Sequence, residues 1–265
     1  MIDFTKKTTV VVKVGTSTLT HKTGKLNIRR VELLVKTLAD LQNAGKKVIL
    51  VSSGAIGLGM SKLGLTERPK DTPMKQACAA VGQCELMYMY EKLFAEYSLT
   101  VAQMLLTKYV LIEDRRKNVE NALDRLLACN VIPVVNENDT VAIDELELEV
   151  GENDSLAAMV AGIAKADLLI IMTDRDGLYN KDPRKFENAE LIPVVEKIDG
   201  HIREIAGGAG SSLGTGGMAT KIKAAEIAAE HGVDMVIMNG AKPQLLYDLF
   251  ENKPVGTLFA ATKND

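Results

Sequence analysis

The sequence is poor in the residues that most often mark a catalytic or metal site. Its 265 residues contain three histidines, which form no local ligand or triad pattern, and three cysteines. The cysteines have no CxxC or other metal-ligand spacing, which favours reduced thiols over disulfides or zinc. We therefore expect a protein without a protein-bound metal centre.

Long hydrophobic runs and strong charge are also missing. Lys13 interrupts the first apolar run well short of a signal-peptide core, and nothing elsewhere approaches a membrane span. A net charge of −3 gives no electrostatic reason to expect nucleic acid as a partner. We expect a cytoplasmic protein that binds neither membranes nor nucleic acid.

The apolar residues that are present form short runs alternating with long helical patterns, which is typical of a parallel sheet covered on both faces. The predicted strands are Thr9–Val14, Val48–Val51, Val101–Leu106, Val131–Val135, Leu168–Met172 and Asp234–Met238. Helical spacing is clear in residues 28–38, 74–97 and 119–127. Two Gly/Ser-rich segments, Ser52–Gly59 and Gly207–Gly217, are predicted loops, and Thr140–Val150 alternates as an exposed β-hairpin would.

Ligands of open α/β sheets bind beyond the carboxyl ends of the strands, and polar segments follow four of the predicted strands. These segments are Lys13–Ser17, Ser52–Ala55, Asn136–Asp139 and Thr173–Asp174. The last three have an ordinary interpretation as turns, and Asn153 or Asp154 could simply cap a helix that opens at Ser155. Their shared position makes them candidate site residues.

Lys13 lies within a strand that is apolar on both faces, which favours a central strand over an exposed edge. A lysine there needs an anionic partner or loses its charge. Two interpretations of Lys13 stay open: a functional role, and protection of an exposed sheet edge against aggregation.

Lys221 follows a glycine-rich loop at the start of a predicted helix. With 100° per residue from Lys221, Glu226, Glu230 and Lys223 fall at about 140°, 180° and 200°, so they form one polar stripe. Lys221 points the other way, and its ammonium is expected to meet an anion at the loop. The loop matches GxGxx[GA] only formally, because no strong strand precedes it, so a nucleotide-dependent oxidoreductase is disfavoured.

Six segments in order, VVVKVGTSTLT, VSSGAIGLG, PVVNENDTV, GENDSLAA, MTDRDGLYNKDPR and LGTGGMATK, resemble the glutamate 5-kinases of the amino acid kinase family. The resemblance runs from about Val10 to Phe259. It implies a three-layer α/β/α sandwich around a mainly parallel sheet, and transfer of phosphate from ATP to the side-chain carboxylate of L-glutamate in proline synthesis.

The resemblance also implies roles for individual positions. The implied catalytic residues are Lys13, Lys221 and Asp154, with Asp154 holding the two lysines in place. Those implied for the substrate are Ser53, Asp139 and Asn153. Those implied for ATP are Lys13, Thr173, Asp174, Thr215, Gly216, Gly217, Met218, Ala219, Thr220 and Lys221.

Carboxylate phosphorylation needs no general base, since a glutamate side chain with a pKa of about 4.3 is already ionised. The difficulty is to bring two anions together, for which Lys13, Lys221 and Mg²⁺ on the phosphates would supply positive charge. The scarcity of histidine agrees with this chemistry.

We expect one domain over residues 1–265, with the amino acid on about residues 1–166 and the nucleotide on about 167–265. Many glutamate 5-kinases continue into a C-terminal PUA domain, whereas this chain stops shortly after VGTLF, so no such domain is expected. The family implies a homo-oligomer, dimer or tetramer, and feedback inhibition by proline. Rival interpretations are an amino acid kinase acting on acetylglutamate, aspartate or a nucleoside monophosphate, and a non-catalytic amino-acid sensor.

Overall fold

A computed structural model of the chain describes residues 2–21, 23–107, 113–141, 153–207 and 217–261. The strands are β1 Thr9–Val14, β2 Lys47–Ser52, β3 Val101–Leu106, β4 Ile132–Glu137, β5 Leu168–Thr173, β6 Val194–Val195, β7 Asp234–Asn239 and β8 Thr257–Phe259. The helices are α1 Thr16–Leu19, α2 Ile28–Asn43, α3 Ala55–Lys62, α4 Thr72–Ala95, α5 Glu113–Ala128, α6 Asn153–Ile163, α7 Gly200–Ile205, α8 Met218–Glu230 and α9 Leu245–Phe250. A short 3-10 helix spans Phe4–Lys6.

The strands form one sheet in the order β3-β4-β2-β1-β5-β7-β8-β6. Every neighbouring pair is parallel except β7 and β8, which run antiparallel. β1 lies in the middle, between β2 and β5. The carboxyl ends of β1, β2, β4 and β5 therefore lie along one edge of the sheet, where ligands bind in folds of this type.

Two hydrophobic cores cover the two faces of the sheet, because successive strand residues point to opposite sides. Val10, Val12 and Val14 of β1 pack with α2, α4 and α9. Val11 packs with α5, α6 and α8 on the other face. Lys13 has the parity of Val11, so its side chain belongs to the face of α6 and α8. The predicted three-layer α/β/α sandwich is confirmed.

Local sequence explains where the main helices begin. Asn27 caps α2 by accepting a hydrogen bond from the backbone N–H of Arg30, and Asp71 caps α4 by accepting one from that of Met74. Pro73 stands in the first turn of α4, where its missing N–H has no cost. Within the described ranges, no helix is long and apolar enough to cross a membrane.

The six predicted strands are all present, and four of them, β2, β4, β5 and β7, end one or two residues later than predicted. β4 extends through Asn136 and Glu137, because its pairing with β3 continues as far as Leu106 opposite Glu137. The sequence reasoning missed β6 and β8, which have two and three residues and no clear periodicity. The helix predicted to open at Ser155 begins at Asn153.

The predicted loop Ser52–Gly59 is wrong, since Ser52 ends β2 and helix α3 begins at Ala55. Gly59 has a packing role in this helix: a Cβ there would lie 1.8 Å from the carbonyl oxygen of Cys78 in α4. Glycine here allows two helix backbones to touch, so it is not a sign of a loop. Most of the predicted hairpin Thr140–Val150 and of the loop Gly207–Gly217 lies outside the described residues.

Candidate active site

Two lysines and one aspartate form a buried ion cluster at the carboxyl edge of the sheet. The Nζ of Lys13 lies 2.7 Å from Oδ1 of Asp154, and the Nζ of Lys221 lies 3.2 Å from Oδ2. The three side chains are 9%, 6% and 1% exposed, respectively, for Lys13, Lys221 and Asp154. One carboxylate therefore holds two cations that are 208 positions apart in the sequence.

Three elements bring these side chains together. Lys13 points from β1 toward the α6 and α8 layer, Asp154 lies in the first turn of α6, and Lys221 lies in the first turn of α8. Thr220 donates a hydrogen bond from Oγ1 to Oδ2 of Asp154 at 3.0 Å. The expectation that Lys221 leaves the polar stripe of its helix is confirmed, and the anion that its ammonium meets is Asp154.

Burial and charge shift the pKa values in this cluster. Burial lowers the pKa of Lys13, Lys221 lowers it further, and Asp154 opposes both effects. Burial alone would raise the pKa of Asp154, but the two lysines and the hydrogen bonds from Lys13 and Thr220 hold it below its usual value. The carboxylate of Asp154 is thus ionised at neutral pH.

A group of hydrogen-bonded polar side chains, three of them amides, lies near the ends of β2 and β4 and the start of α6. The Nδ2 of Asn153 donates hydrogen bonds to Oγ of Ser53 at 2.7 Å and to Oδ1 of Asn136 at 3.1 Å. The Nδ2 of Asn136 donates to Oε1 of Gln83 at 2.9 Å. Two residues expected at the substrate site, Ser53 and Asn153, are therefore in direct contact and adjoin the ion cluster through Asp154.

The third residue expected at the substrate site, Asp139, follows β4. Burial and the nearby charge of Glu137 raise the pKa of the Asp139 carboxyl group to about 6. Glu137 itself is buried at the end of the strand. This part of the site is acidic, which suits an ammonium group.

The expected ATP residues are placed only in part. Thr173 ends β5 and donates a hydrogen bond to the exposed Asp174 at 3.0 Å. Gly217 precedes α8, whose first residues are Met218, Ala219, Thr220 and Lys221. Thr215 and Gly216 lie outside the described residues. The first backbone N–H groups of a helix have no partner within the helix, so those at the start of α8 can hold an anion.

Sequence reasoning missed Gln83 and singled out Asn136 only as part of a polar segment. Gln83 lies on the buried face of α4, one helical turn from Ala79 and from Leu86. A polar residue within such an apolar stripe is the signal that could have identified it. The partner that makes it relevant, Asn136, is 53 positions away and is visible only in the structure.

The class of protein follows from comparison with known families. The pattern of the amino acid kinase family matches residues 8–239 of the chain. This chain belongs to the amino acid kinase family.

Comparison with curated relatives gives a more specific match than the family pattern does. The chain is 56% identical over 255 residues to a protein of Clostridium tetani named glutamate 5-kinase, covering 96% of this chain and 95% of that protein. It is 53% identical to the glutamate 5-kinase of Caldanaerobacter subterraneus, covering 96% of this chain and 68% of the other.

Solved structures support the fold alone. A carbamate kinase from Giardia lamblia bound to AMP-PNP has a TM-score of 0.66 at 18% identity, with 97% of this chain and 99% of that chain covered. A UMP kinase from Ureaplasma parvum has a TM-score of 0.63 at 14% identity, with 96% and 99% covered. Kinases with different acceptors therefore share this architecture.

Proposed function

We propose that the protein is a glutamate 5-kinase, which transfers the γ-phosphoryl group of ATP to the side-chain carboxylate of L-glutamate. The products are ADP and L-glutamyl 5-phosphate, an acyl phosphate that begins proline synthesis. The observation that carries this proposal is the buried cluster of Lys13, Asp154 and Lys221 beside the hydrogen-bonded side chains of Ser53 and Asn153. The relatives that share most of this chain's length bear the same name.

In the proposed reaction, a carboxylate oxygen of glutamate attacks the γ-phosphorus, and the bond to the bridging oxygen of ADP breaks. The two lysines offset the repulsion between the anions and stabilise the charge that develops on the transferred group. Asp154 keeps both ammonium groups in position without itself reacting. No proton needs to be removed from the acceptor.

The acceptor would lie between the ion cluster and the acidic end of β4. Ser53 and Asn153 would contact the amino acid directly, and ionised Asp139 would bind its α-ammonium group. On the nucleotide side we assign Lys13, Thr173, Asp174 and residues 215–221. In this division the amino acid lies on residues 1–166 and the nucleotide on residues 167–265.

Magnesium fits this site as a partner of ATP rather than as a protein-bound ion. Across the described part of the chain, no group of three or more His, Cys, Asp or Glu side chains could hold a metal. Both oxygens of Asp154 already face lysines. Mg²⁺ would be held by phosphate oxygens and water, where it supplies further positive charge.

The remaining features of the proposal follow the family resemblance: a cytoplasmic homo-oligomer, dimer or tetramer, inhibited by proline. Sedimentation equilibrium measures the assembly, and a proline titration of the glutamate reaction measures the inhibition. A monomer, or a rate unchanged at saturating proline, would remove the corresponding feature.

The acceptor is tested by ADP release with Mg·ATP and, separately, L-glutamate, N-acetyl-L-glutamate, L-aspartate and UMP. Hydroxylamine in the assay traps an acyl phosphate as a hydroxamate. We expect rapid ADP release and hydroxamate formation with L-glutamate. Turnover with another acceptor and none with L-glutamate would refute the proposal, and binding of amino acids without any turnover would indicate a sensor.

A further inference from the structure

Gln83 carries a buried hydrogen-bond donor that the described residues leave unused. The residue is 7% exposed, and its Nε2 has no hydrogen-bond partner within the described ranges. Its Oε1 is occupied by the Nδ2 of Asn136 at 2.9 Å. Buried N–H groups are nearly always paired in folded proteins, so this donor needs a partner outside the described residues, either an ordered water or a ligand.

The direction of this amide is fixed by the backbone. The backbone N–H of Glu137 can only donate, and it donates to Oδ1 of Asn136 at 2.9 Å. The Nδ2 of Asn136 must therefore face Gln83. Reversing the Gln83 amide would set one NH₂ group against the other. The donor of Gln83 is therefore held away from Asn136.

At the opposite end of this chain of hydrogen-bonded side chains, an acceptor is unused. Asn153 donates its Nδ2 to Asn136 and Ser53, while its buried Oδ1 has no partner within the described ranges. Three linked amides thus end in one free donor and one free acceptor. An α-amino acid presents the complement, with a carboxylate that accepts and an ammonium that donates.

The backbone next to Gln83 packs closely against the turn Ser53–Ala55, which contains the expected substrate residue Ser53. A Cβ at Gly82 would lie 1.7 Å from the carbonyl oxygen of Ala55, the first residue of α3. Helix α4 therefore touches α3 directly behind Ser53, which fixes the position of Gln83 relative to that turn.

We propose that Gln83 is a specificity-determining residue that donates a hydrogen bond from Nε2 to the α-carboxylate of the acceptor amino acid. Asn153 Oδ1 accepts from the α-ammonium group of the same molecule. This inference rests on the proposed function, because it assigns one contact of the same acceptor site. It predicts that the enzyme recognises a free α-carboxylate.

The test compares L-glutamate with its α-amide, which keeps the reacting side-chain carboxylate. The quantity measured is the ratio of kcat/KM for the two acceptors. In Gln83→Glu, one oxygen still accepts from Asn136 while the other repels an α-carboxylate and accepts from an α-amide. We expect the preference for glutamate to fall about tenfold to a hundredfold, with the KM for ATP unchanged.

Gln83→Met provides a second variant that removes the donor without adding charge, and the same ratio is expected to fall about tenfold. Gln42→Glu is the matched control. Gln42 is also buried, but both ends of its amide are paired, with the N–H of Val48 and with Asn130. This control is expected to lower Tm and leave the ratio unchanged.

If Gln83 only supported Asn136, both acceptors would lose activity equally and the ratio would stay constant, which would overturn the inference. An unchanged ratio in a folded Gln83→Glu protein would do the same. Failure of the proposed function is distinct, since the wild-type enzyme would then not turn over L-glutamate at all.

Discussion

Replacing Asp154 by Asn removes the one negative charge between two buried lysines. At an effective dielectric constant of about 20, opposite charges about 4 Å apart attract by about 4 kcal/mol, and here the contacts are 2.7 Å and 3.2 Å. Desolvation offsets much of this attraction, but leaving a buried partner unpaired costs about 3 to 5 kcal/mol. For a chain of this size the corresponding fall in Tm is about 6 to 20 °C.

The effect on catalysis follows from the same geometry. Without the carboxylate the two ammonium groups repel each other, and neither is held where the phosphoryl group passes. We expect kcat to fall about a hundredfold to a thousandfold. The assay is ADP release at saturating ATP and glutamate, with Tm measured on the same samples.

Asp234→Asn is the control for this variant. Asp234 is also buried, and its Oδ2 lies 2.7 Å from the Nζ of Lys7. However, it is the first residue of β7 and lies at the amino ends of the parallel strands, opposite the ion cluster. Its loss should lower Tm and leave kcat unchanged. An Asp154→Asn enzyme with kcat within tenfold of wild type would refute the assigned role of Asp154.

Further predictions concern Lys221, Asp139 and Gly82. Lys221→Ala should lower kcat by orders of magnitude with a modest loss of stability, whereas Lys223→Ala, at an exposed position of the same helix, should leave kcat unchanged; equal rates would contradict this assignment. Because burial raises the pKa of Asp139 to about 6, kcat/KM for glutamate should fall tenfold per pH unit below that value, and Asp139→Asn should abolish this dependence. The raised pKa makes ionised Asp139 unfavourable for folding above pH 6, so Asp139→Asn should also raise Tm at pH 8, and a lower Tm would contradict that sign. Gly82→Ala should lower Tm and raise the KM for glutamate, because its Cβ would lie 1.7 Å from the Ala55 carbonyl oxygen; a variant with unchanged Tm and KM would show that α3 and α4 adjust freely.

The lysines could be predicted from sequence because each breaks a periodic pattern. Lys13 interrupts an apolar strand, and Lys221 leaves the polar stripe of a helix, so both had to find anions inside the fold. Periodicity does not identify the anion. Asp154 follows an amide in an ordinary helix-start sequence, and its contact with both lysines depends on the order of the strands.

The wrong prediction of a loop at Ser52–Gly59 and the failure to identify Gln83 also have a physical cause. Gly59 suggested a loop because glycine is weak in isolated helices, but close contact with Cys78 of α4 overrides that preference. Such contacts join residues that are distant along the chain. The unpaired donor of Gln83 is likewise a tertiary feature, since it depends on how Asn136 is oriented by the backbone of Glu137.

The most direct test of the account follows an oxygen atom. L-Glutamate labelled with ¹⁸O in its side-chain carboxylate is incubated with enzyme and Mg·ATP, and hydroxylamine then attacks the carbonyl carbon of the acyl phosphate. Phosphate leaves with the bridging oxygen, which came from glutamate, so ³¹P NMR should show inorganic phosphate carrying one ¹⁸O. Phosphate without the label would mean that water, rather than the glutamate carboxylate, accepts the phosphoryl group, and would contradict the account.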